Sequence, residues 1–120
     1  MKIIYSDKIL NRLSIFMNIG GITLYPFIIL RERYKIYQIS GKIILNHEKI
    51  HIKQQIELLV VFFYIFYILN YIVNLLFYWN NKKAYENICF EKEANTNELN
   101  DNYLNERKLY SWLKYIFKKP

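Results

Sequence analysis

Both histidines of the chain lie in one pentapeptide, His47-Glu48-Lys49-Ile50-His51. On a helix, residues four apart lie one above the other on the same face, so both imidazoles can reach one metal ion. Glu48 would stand beside a water on that metal, whose pKa falls to about 7, and could take its proton. The spacing predicts a zinc (Zn2+) site with His47 and His51 as ligands and Glu48 as the catalytic base.

A catalytic zinc takes three protein ligands, so the chain must supply one more. Downstream acidic residues are Glu91, Glu93 and Glu98. On a helix Glu91 and Glu93 stand about 200° apart, whereas Glu91, Ala94 and Glu98 share one face. The small Ala94 lets two helices approach closely, which favours Glu91 as the third ligand and turns Glu93 outward. Glu93 is the alternative ligand, and Cys89 is a minor one.

These two motifs resemble those of the gluzincin-type membrane zinc metallopeptidases, in which ExxAD or ExxCD follows HExxH. The matching positions are His47, Glu48, His51, Glu91 and Ala94. The resemblance spans roughly residues 43–98 and implies a peptidase whose zinc is held by the two histidines and Glu91. Asn95 replaces the usual Asp. The chain is also similar to small bacterial proteins with an HExxHxxQQ…FExEA pattern, which implies a bacterial inner-membrane location.

The composition narrows the classes of protein to consider. With 120 residues, 53% apolar and 18% aromatic, and only 3 Gly and 2 Pro, the chain is a single domain rich in long helices rather than a disordered one. Its formal charge is +7, but the lysines are scattered. This argues against a nucleic-acid interface and favours contact with anionic lipid headgroups. The one cysteine cannot form an intramolecular disulfide.

We predict a mainly α fold with a short N-terminal β-hairpin: an HExxH helix, an apolar helical hairpin and a returning helix that carries the glutamate. The whole chain forms one membrane-associated, zincin-like domain. Its parts are a polar lead-in (1–12), a strand or hairpin (13–39), the helical metal-site core (42–108) and an amphipathic tail (109–120). The tail pattern is typical of either an interfacial helix or a cap on the core.

The segment 13–39 has two interpretations. Gly20, Gly21 and Pro26 interrupt its apolar stretch, which indicates a turn followed by an extended edge strand over 22–30. Residues 34–39 would then pair back as a second strand. The alternative is a transmembrane helix over 13–30.

A helix is predicted from about residue 42 through the pentapeptide, with Ser40 as its N-cap. The apolar run that follows, to Trp79, is long enough to span a bilayer. A straight helix from His51 to Trp79 would end about 40 Å from the metal. For Glu91 to return, the run must fold back, and we place this turn near Asn70 or Asn74, in a partly embedded hairpin.

The expected function is that of a membrane-associated zinc metallopeptidase that hydrolyses peptide bonds through a water activated by Glu48. Its partners are the lipid bilayer and an unidentified peptide or protein substrate. The strand at 22–30 would either bind an extended substrate along its edge or simply cover the core. The alternative is a non-catalytic membrane interaction or sensor protein with a structural or vestigial zinc site.

Overall fold

A small sheet at the N-terminal end precedes a mainly helical chain. The computed structural model describes residues 2–13 and 19–118. Within these ranges the elements are β1 (Lys2–Tyr5), α1 (Asp7–Leu13), β2 (Gly21–Leu24), β3 (Phe27–Leu30), a 3-10 helix (Glu32–Lys35), α2 (Gln38–Glu57), α3 (Val61–Tyr78), α4 (Asn81–Glu86), α5 (Cys89–Asn97), α6 (Tyr103–Glu106) and a second 3-10 helix (Ser111–Tyr115). The predicted class, mainly α with a short N-terminal β element, is confirmed.

The three strands are ordered β1-β3-β2, with β1 parallel and β2 antiparallel to β3. Strand β3 is therefore central, and the prediction of one extended edge strand over 22–30 was wrong. Pro26 follows a cis peptide bond in the tight turn between β2 and β3, where it interrupts no ladder. The predicted lead-in, 1–12, instead supplies β1 and α1, because the apolar residues of β1 pair with those of β3.

The prediction of a second strand over 34–39 was also wrong. Both edges of β3 are already taken, by β1 and β2, so no further strand can pair with it. The chain forms a 3-10 helix there, and α2 begins at Gln38 with Tyr37 as N-cap, not at Ser40. The transmembrane alternative fails at 21–24 and 27–30, which are strands; residues 14–18 of that stretch lie outside the described residues.

A sharp turn separates the HExxH helix from the apolar helix. Helix α2 ends at Glu57, and Leu59 and Val60 adopt φ values of 55° and 64° before α3 begins. Helix α3 then runs unbroken from Val61 to Tyr78 and the chain reverses at Trp79, also at positive φ (53°). The turn predicted near Asn70 or Asn74 was therefore wrong, although the chain does fold back.

Asn70 and Asn74 anchor the returning chain instead of breaking α3. The Asn70 Oδ1 accepts a hydrogen bond from the Cys89 backbone N–H (2.9 Å), and Asn74 Nδ2 donates to the Ala84 carbonyl (3.1 Å). Helix α4 and the first residues of α5 are thereby held against α3, and α5 brings Glu91 back to α2. The chain thus returns without a break inside the apolar run.

One face of α3 is covered by protein and the opposite face is exposed. On the covered face, Phe63 is buried in an aromatic cluster with Phe90 and Tyr115. The opposite side, called here the outer face of α3, has exposed fractions of 45–65% at Phe62, Phe66, Leu69, Val73 and Leu76. This helix is long and apolar enough to cross a membrane, and 6% of it is buried.

The tail packs on the core. Tyr115 is buried, Trp112 packs against the same aromatic cluster, and the Lys92 ammonium donates to the Ile116 carbonyl (3.4 Å). Of the two interpretations of the tail, the described part, up to residue 118, has the contacts of a cap.

Candidate metal centre

Three nitrogen and oxygen atoms from α2 and α5 converge in the protein interior. His47 and His51, one turn apart on the buried face of α2, bring their Nε2 atoms to 3.1 Å of each other. The Glu91 Oε1 lies 3.1 Å from His47 Nε2 and 3.2 Å from His51 Nε2. All three residues are buried. The three predicted residues are thus brought together, although Glu91 lies 40 and 44 residues after the two histidines in sequence.

The spacing of these atoms suits a metal ion. In a tetrahedral zinc site with bonds of about 2.0–2.1 Å, the ligand atoms stand about 3.3 Å apart. The three distances of 3.1, 3.1 and 3.2 Å are close to that value. Two imidazoles and one carboxylate are also a donor set of catalytic zinc sites. His47, His51 and Glu91 could therefore hold a metal ion.

The outer hydrogen bonds of the histidines orient their lone pairs towards one point. His47 Nδ1 lies 2.7 Å from Glu98 Oε2, a carboxylate oxygen that only accepts. His51 Nδ1 lies 2.7 Å from Gln54 Oε1, and the amide orientation is fixed because Gln54 Nε2 donates to the Phe90 carbonyl. Both Nδ1 atoms therefore carry the hydrogen, and in the neutral rings both Nε2 atoms are acceptors. Three acceptor atoms therefore face one another, and this arrangement is favourable only with a cation or a proton between them.

The pKa values reflect the same convergence. Burial opposes the charged form of His47, but its hydrogen bonds to Glu91 and Glu98 outweigh burial and raise its pKa to about 10 when the ligands hold no cation. Burial likewise opposes charge on His51, yet the charge of Glu91 raises its pKa. Burial alone would raise the pKa of Glu91, but the neighbouring His51 and His47 hold it well below its usual range. The pocket thus favours positive charge between the three side chains.

Glu48 lies between the site and the sheet. It is buried, and burial raises its pKa despite the opposing charges of His51 and His47. Its Oε2 accepts a hydrogen bond from the Thr23 hydroxyl (2.5 Å). A side chain at Gly21 would place its Cβ 3.3 Å from Glu48 Oε1 and 2.7 Å from a Leu30 methyl carbon, so Gly21 permits the close approach of β2 to the site.

Glu93 belongs to a buried ion-pair network, and the prediction that it faces outward was wrong. It is fully buried, and Arg107 binds it and Glu57 through two pairs of hydrogen bonds of 2.5–3.1 Å. The Tyr103 hydroxyl is a second partner of Glu93 and donates to its Oε2 (2.7 Å). This face of α5 is buried because Tyr103 and Arg107, from the chain that follows α5, and Gln54 of α2 cover it, which the sequence of α5 alone does not reveal. Glu93 is consequently engaged away from the histidines.

Two further residues contribute contacts that sequence reasoning did not assign. Gln54, fully buried, joins His51 to Glu93 Oε1 (2.9 Å), and the Tyr67 hydroxyl donates to Glu91 Oε2 (2.7 Å). A signal for Gln54 existed: an amide on the histidine face of an inward-facing helix must find buried partners. Cys89, the minor alternative ligand, packs among aromatic side chains, and Asn95 is exposed.

Strand β2 presents its outer edge to the site. The Gly20 carbonyl accepts a hydrogen bond from the Arg31 N–H (3.0 Å). Because backbone groups alternate in direction along an antiparallel strand, those of Gly21 and Thr23 point away from β3. The Gln55 amide occupies part of this edge, donating to the Thr23 carbonyl and accepting from Tyr25 N–H, both at 3.0 Å. Among the described residues nothing pairs with the N–H groups of Gly21 and Thr23 or the Gly21 carbonyl.

Two cavities adjoin the site on either side. One, of about 650 Å³, touches His51, Glu91 and the covered face of α3. The other, of about 610 Å³, touches His47 and Glu98. They share four lining residues, Ile19, Gly21, Glu48 and Tyr85. The cleft therefore passes along β2 and across Glu48, with open space on both sides of the three ligands.

Compared with protein-family models, with curated proteins and with solved structures, the chain matches none. The resemblance to gluzincin-type peptidases therefore stays a prediction.

Proposed function

We propose that this chain is a membrane-associated zinc metallopeptidase. The observation that carries the proposal is the meeting of three acceptor atoms, from His47, His51 and Glu91, beside the Glu48 carboxylate. Zinc is the metal we propose because it takes this donor set at this spacing. Open cavities on both sides of the ligands are what an extended substrate needs.

Glu48 and Thr23 have different roles in the proposed hydrolysis. A zinc ion, when bound, acts as a Lewis acid that acidifies water and polarises a carbonyl. Glu48 takes the proton of the attacking water as the new C–O bond forms, and returns it to the leaving amine as the C–N bond breaks. The Thr23 hydroxyl holds one Glu48 oxygen, which leaves the other, Oε1, directed towards Gly21. Thr23 therefore orients the base.

A peptide is the substrate that this cleft suits. The unpaired backbone groups of Gly21 and Thr23 can pair with an extended chain, as exposed strand edges do in other peptide-binding proteins. Such a chain would lie over Glu48, which both cavities share. Strand pairing gives affinity without reading the sequence of the peptide.

The outer face of α3 supports membrane association. Large apolar side chains there are 45–65% exposed, and the helix carries no charged residue. Its other face packs on the domain through Phe63 and Tyr67. We therefore propose that α3 lies against a bilayer, with its outer face in the lipid, in a bacterial inner membrane. The exposed cations Lys82 and Lys83 follow α3 and suit anionic headgroups.

Metal content is the first test. Detergent-purified protein should carry about one zinc per chain, and His47→Ala and Glu91→Gln should each lose it. Glu86→Gln is the matched control, since Glu86 is a half-exposed glutamate of α4 paired with Lys82. Elemental mass spectrometry on the three variants decides it. Zinc retained by Glu91→Gln, or absent from the parent protein after zinc is offered, would contradict the assignment.

The burial of all three ligands favours a second candidate, a non-catalytic sensor with a structural zinc. The two differ at Glu48. In the peptidase, Glu48→Gln keeps zinc but abolishes hydrolysis of a quenched-fluorescent peptide library, because the base is lost. Zinc bound without any hydrolysis in the parent protein, and with no exchangeable water seen by relaxation of a Co²⁺-substituted sample, would favour the sensor.

A further inference from the structure

The larger cavity has a wall unlike that of the smaller one. On the α3 side it is lined by Phe63, Tyr64, Tyr67, Ile68 and Tyr71, and on the β2 side by Ile22 and Leu24. The smaller cavity contains charged and amide groups such as Lys82, Glu86 and Asn95. The two sides of the candidate metal centre therefore differ in chemistry.

Three tyrosines of the larger cavity have hydroxyls that are already hydrogen-bonded within the protein. The Tyr64 hydroxyl is 3.4 Å from the Thr23 carbonyl, Tyr67 donates to Glu91 (2.7 Å) and Tyr71 donates to Asn81 (2.9 Å). With these three hydroxyls already paired, the wall formed by α3 offers few free polar groups to a ligand. At about 650 Å³ it has the size of a typical small-ligand pocket.

We propose that this cavity binds a bulky apolar side chain of a peptide held along β2, next to the bond to be cleaved. This inference rests on the proposed function and names its substrate class. The ligand must combine two chemistries: backbone amides for the unpaired edge at Gly21 and Thr23, and an apolar group for the cavity. A peptide supplies both, whereas a lipid chain supplies only the second.

Ile68 lies where the cavity meets the exposed side of α3. It lines the cavity and is 56% exposed, so the mouth opens beside apolar surface. An apolar segment lying at a membrane surface could reach the cavity over this residue without crossing a charged rim. The geometry therefore favours substrates rich in large apolar residues, such as segments released from or lying on a membrane.

The test uses zinc-loaded Glu48→Gln protein, so that binding is measured without turnover. The probes are fluorescein-labelled Gly-Gly-Phe-Gly-Gly and Gly-Gly-Ser-Gly-Gly, followed by fluorescence anisotropy in detergent, with protein-free micelles as blank. We expect the Phe peptide to bind at least tenfold more tightly. Added Ile68→Glu should remove this preference, because it places a charge at the cavity wall.

Ile65→Glu is the matched control. Ile65 is 45% exposed on the same helix and does not line the cavity, so this variant should keep the Phe preference. Equal binding of the two peptides, or a preference that survives Ile68→Glu, would overturn the inference while zinc binding stands. A Phe preference in a protein that binds no zinc would instead overturn the proposed function and leave the cavity assignment in place.

Discussion

At the scale of single residues, the His51 ring is held by one amide. Gln54 accepts from His51 Nδ1 and donates to Glu93 and the Phe90 carbonyl, and it is fully buried. Gln55 is equally buried, but its amide donates a hydrogen bond to the Thr23 carbonyl of β2. The two adjacent glutamines thus have the same chemistry and different tasks.

This pair gives the first prediction. Gln54→Leu should weaken zinc binding by about 10–100-fold, because the ring loses the partner that orients it. Gln55→Leu should leave zinc affinity unchanged. Each of the two variants should lower the free energy of unfolding by roughly 1–3 kcal/mol, because each loses buried hydrogen bonds. Competition with a chromophoric chelator measures affinity, and urea unfolding measures stability. Equal losses of affinity in both variants would show that Gln54 acts only through stability.

The second prediction concerns protons. The pKa of His47 is raised from its ordinary 6.5 to about 10 when no cation is bound. Its charged form thus stabilises the fold fully below pH 6.5, and this contribution disappears as the pH rises through about 10. A metal requires neutral histidines, so binding at pH 7–8 should release roughly one proton or more and tighten with pH. Titration calorimetry in buffers of different ionisation enthalpy counts the protons; zero release at pH 7 would contradict the ligand role.

Helical periodicity was enough to predict which three side chains meet, a group that could hold a metal ion, but not the contacts that support them. The i, i+4 histidines and the shared face of Glu91 and Ala94 require only a helix, so they were foreseen. The prediction that Glu93 faces outward was wrong because its partner, Arg107, lies after α5 in sequence and contacts it only in the tertiary structure. A wheel drawn for one helix contains no information about what covers its second face.

At the scale of elements, the turn between α2 and α3 decides whether Glu91 can reach the histidines. Leu59 and Val60 have no turn-forming side chain, yet both adopt positive φ. Asn70 and Asn74, better turn formers, instead make hydrogen bonds within an intact helix. The position of the turn was therefore not predictable from residue type, since the surrounding packing imposes it.

This strain gives the third prediction. Val60→Gly should stabilise the protein by about 1 kcal/mol, because a β-branched residue at positive φ is strained and glycine is not. Val61→Gly, at the first residue of α3, should instead destabilise it by roughly a few tenths of a kcal/mol, because glycine is a poorer helix former than valine. Thermal or urea unfolding in detergent compares the two. Destabilisation of similar size by both variants would mean that residue 60 is not strained.

The fourth prediction concerns Cys89 at the start of α5. Burial raises the pKa of its thiol to about 11, and it packs among aromatic rings rather than at the candidate metal centre. Its reaction with a disulfide reagent at pH 8 should be at least about 100-fold slower than that of free cysteine, and fast after unfolding. Rapid labelling of the folded protein would show that α5 is not packed as described.

At the scale of the whole molecule, a net charge of +7 accompanies a large exposed apolar surface on α3. Neither property alone identifies a membrane protein, and the sequence could indicate only a length sufficient to span. The packing of one face of α3 on the domain adds information that the sequence lacks, because it identifies which apolar residues of α3 remain exposed.

The fifth prediction follows from that surface. The protein should float with anionic phospholipid vesicles, and a Phe66→Lys/Val73→Lys double variant on the outer face of α3 should float at least fivefold less. An Ile36→Lys/Ile39→Lys variant is the matched control, since both isoleucines are about 80% exposed (78% and 81%) away from α3. Equal loss in both variants would show that added charge, not the α3 surface, governs association.

The buried network around Arg107 has a consequence for the order in which the protein matures. Arg107 is synthesised after His47, His51, Glu91 and Glu93, yet through Glu93 and Gln54 it supports a ring that would hold the metal. While the chain is still being elongated, His47, His51 and Glu91 can emerge from the ribosome before Arg107 supports them. We therefore expect stable zinc uptake to be a late event of biogenesis, after residue 107 has left the exit tunnel.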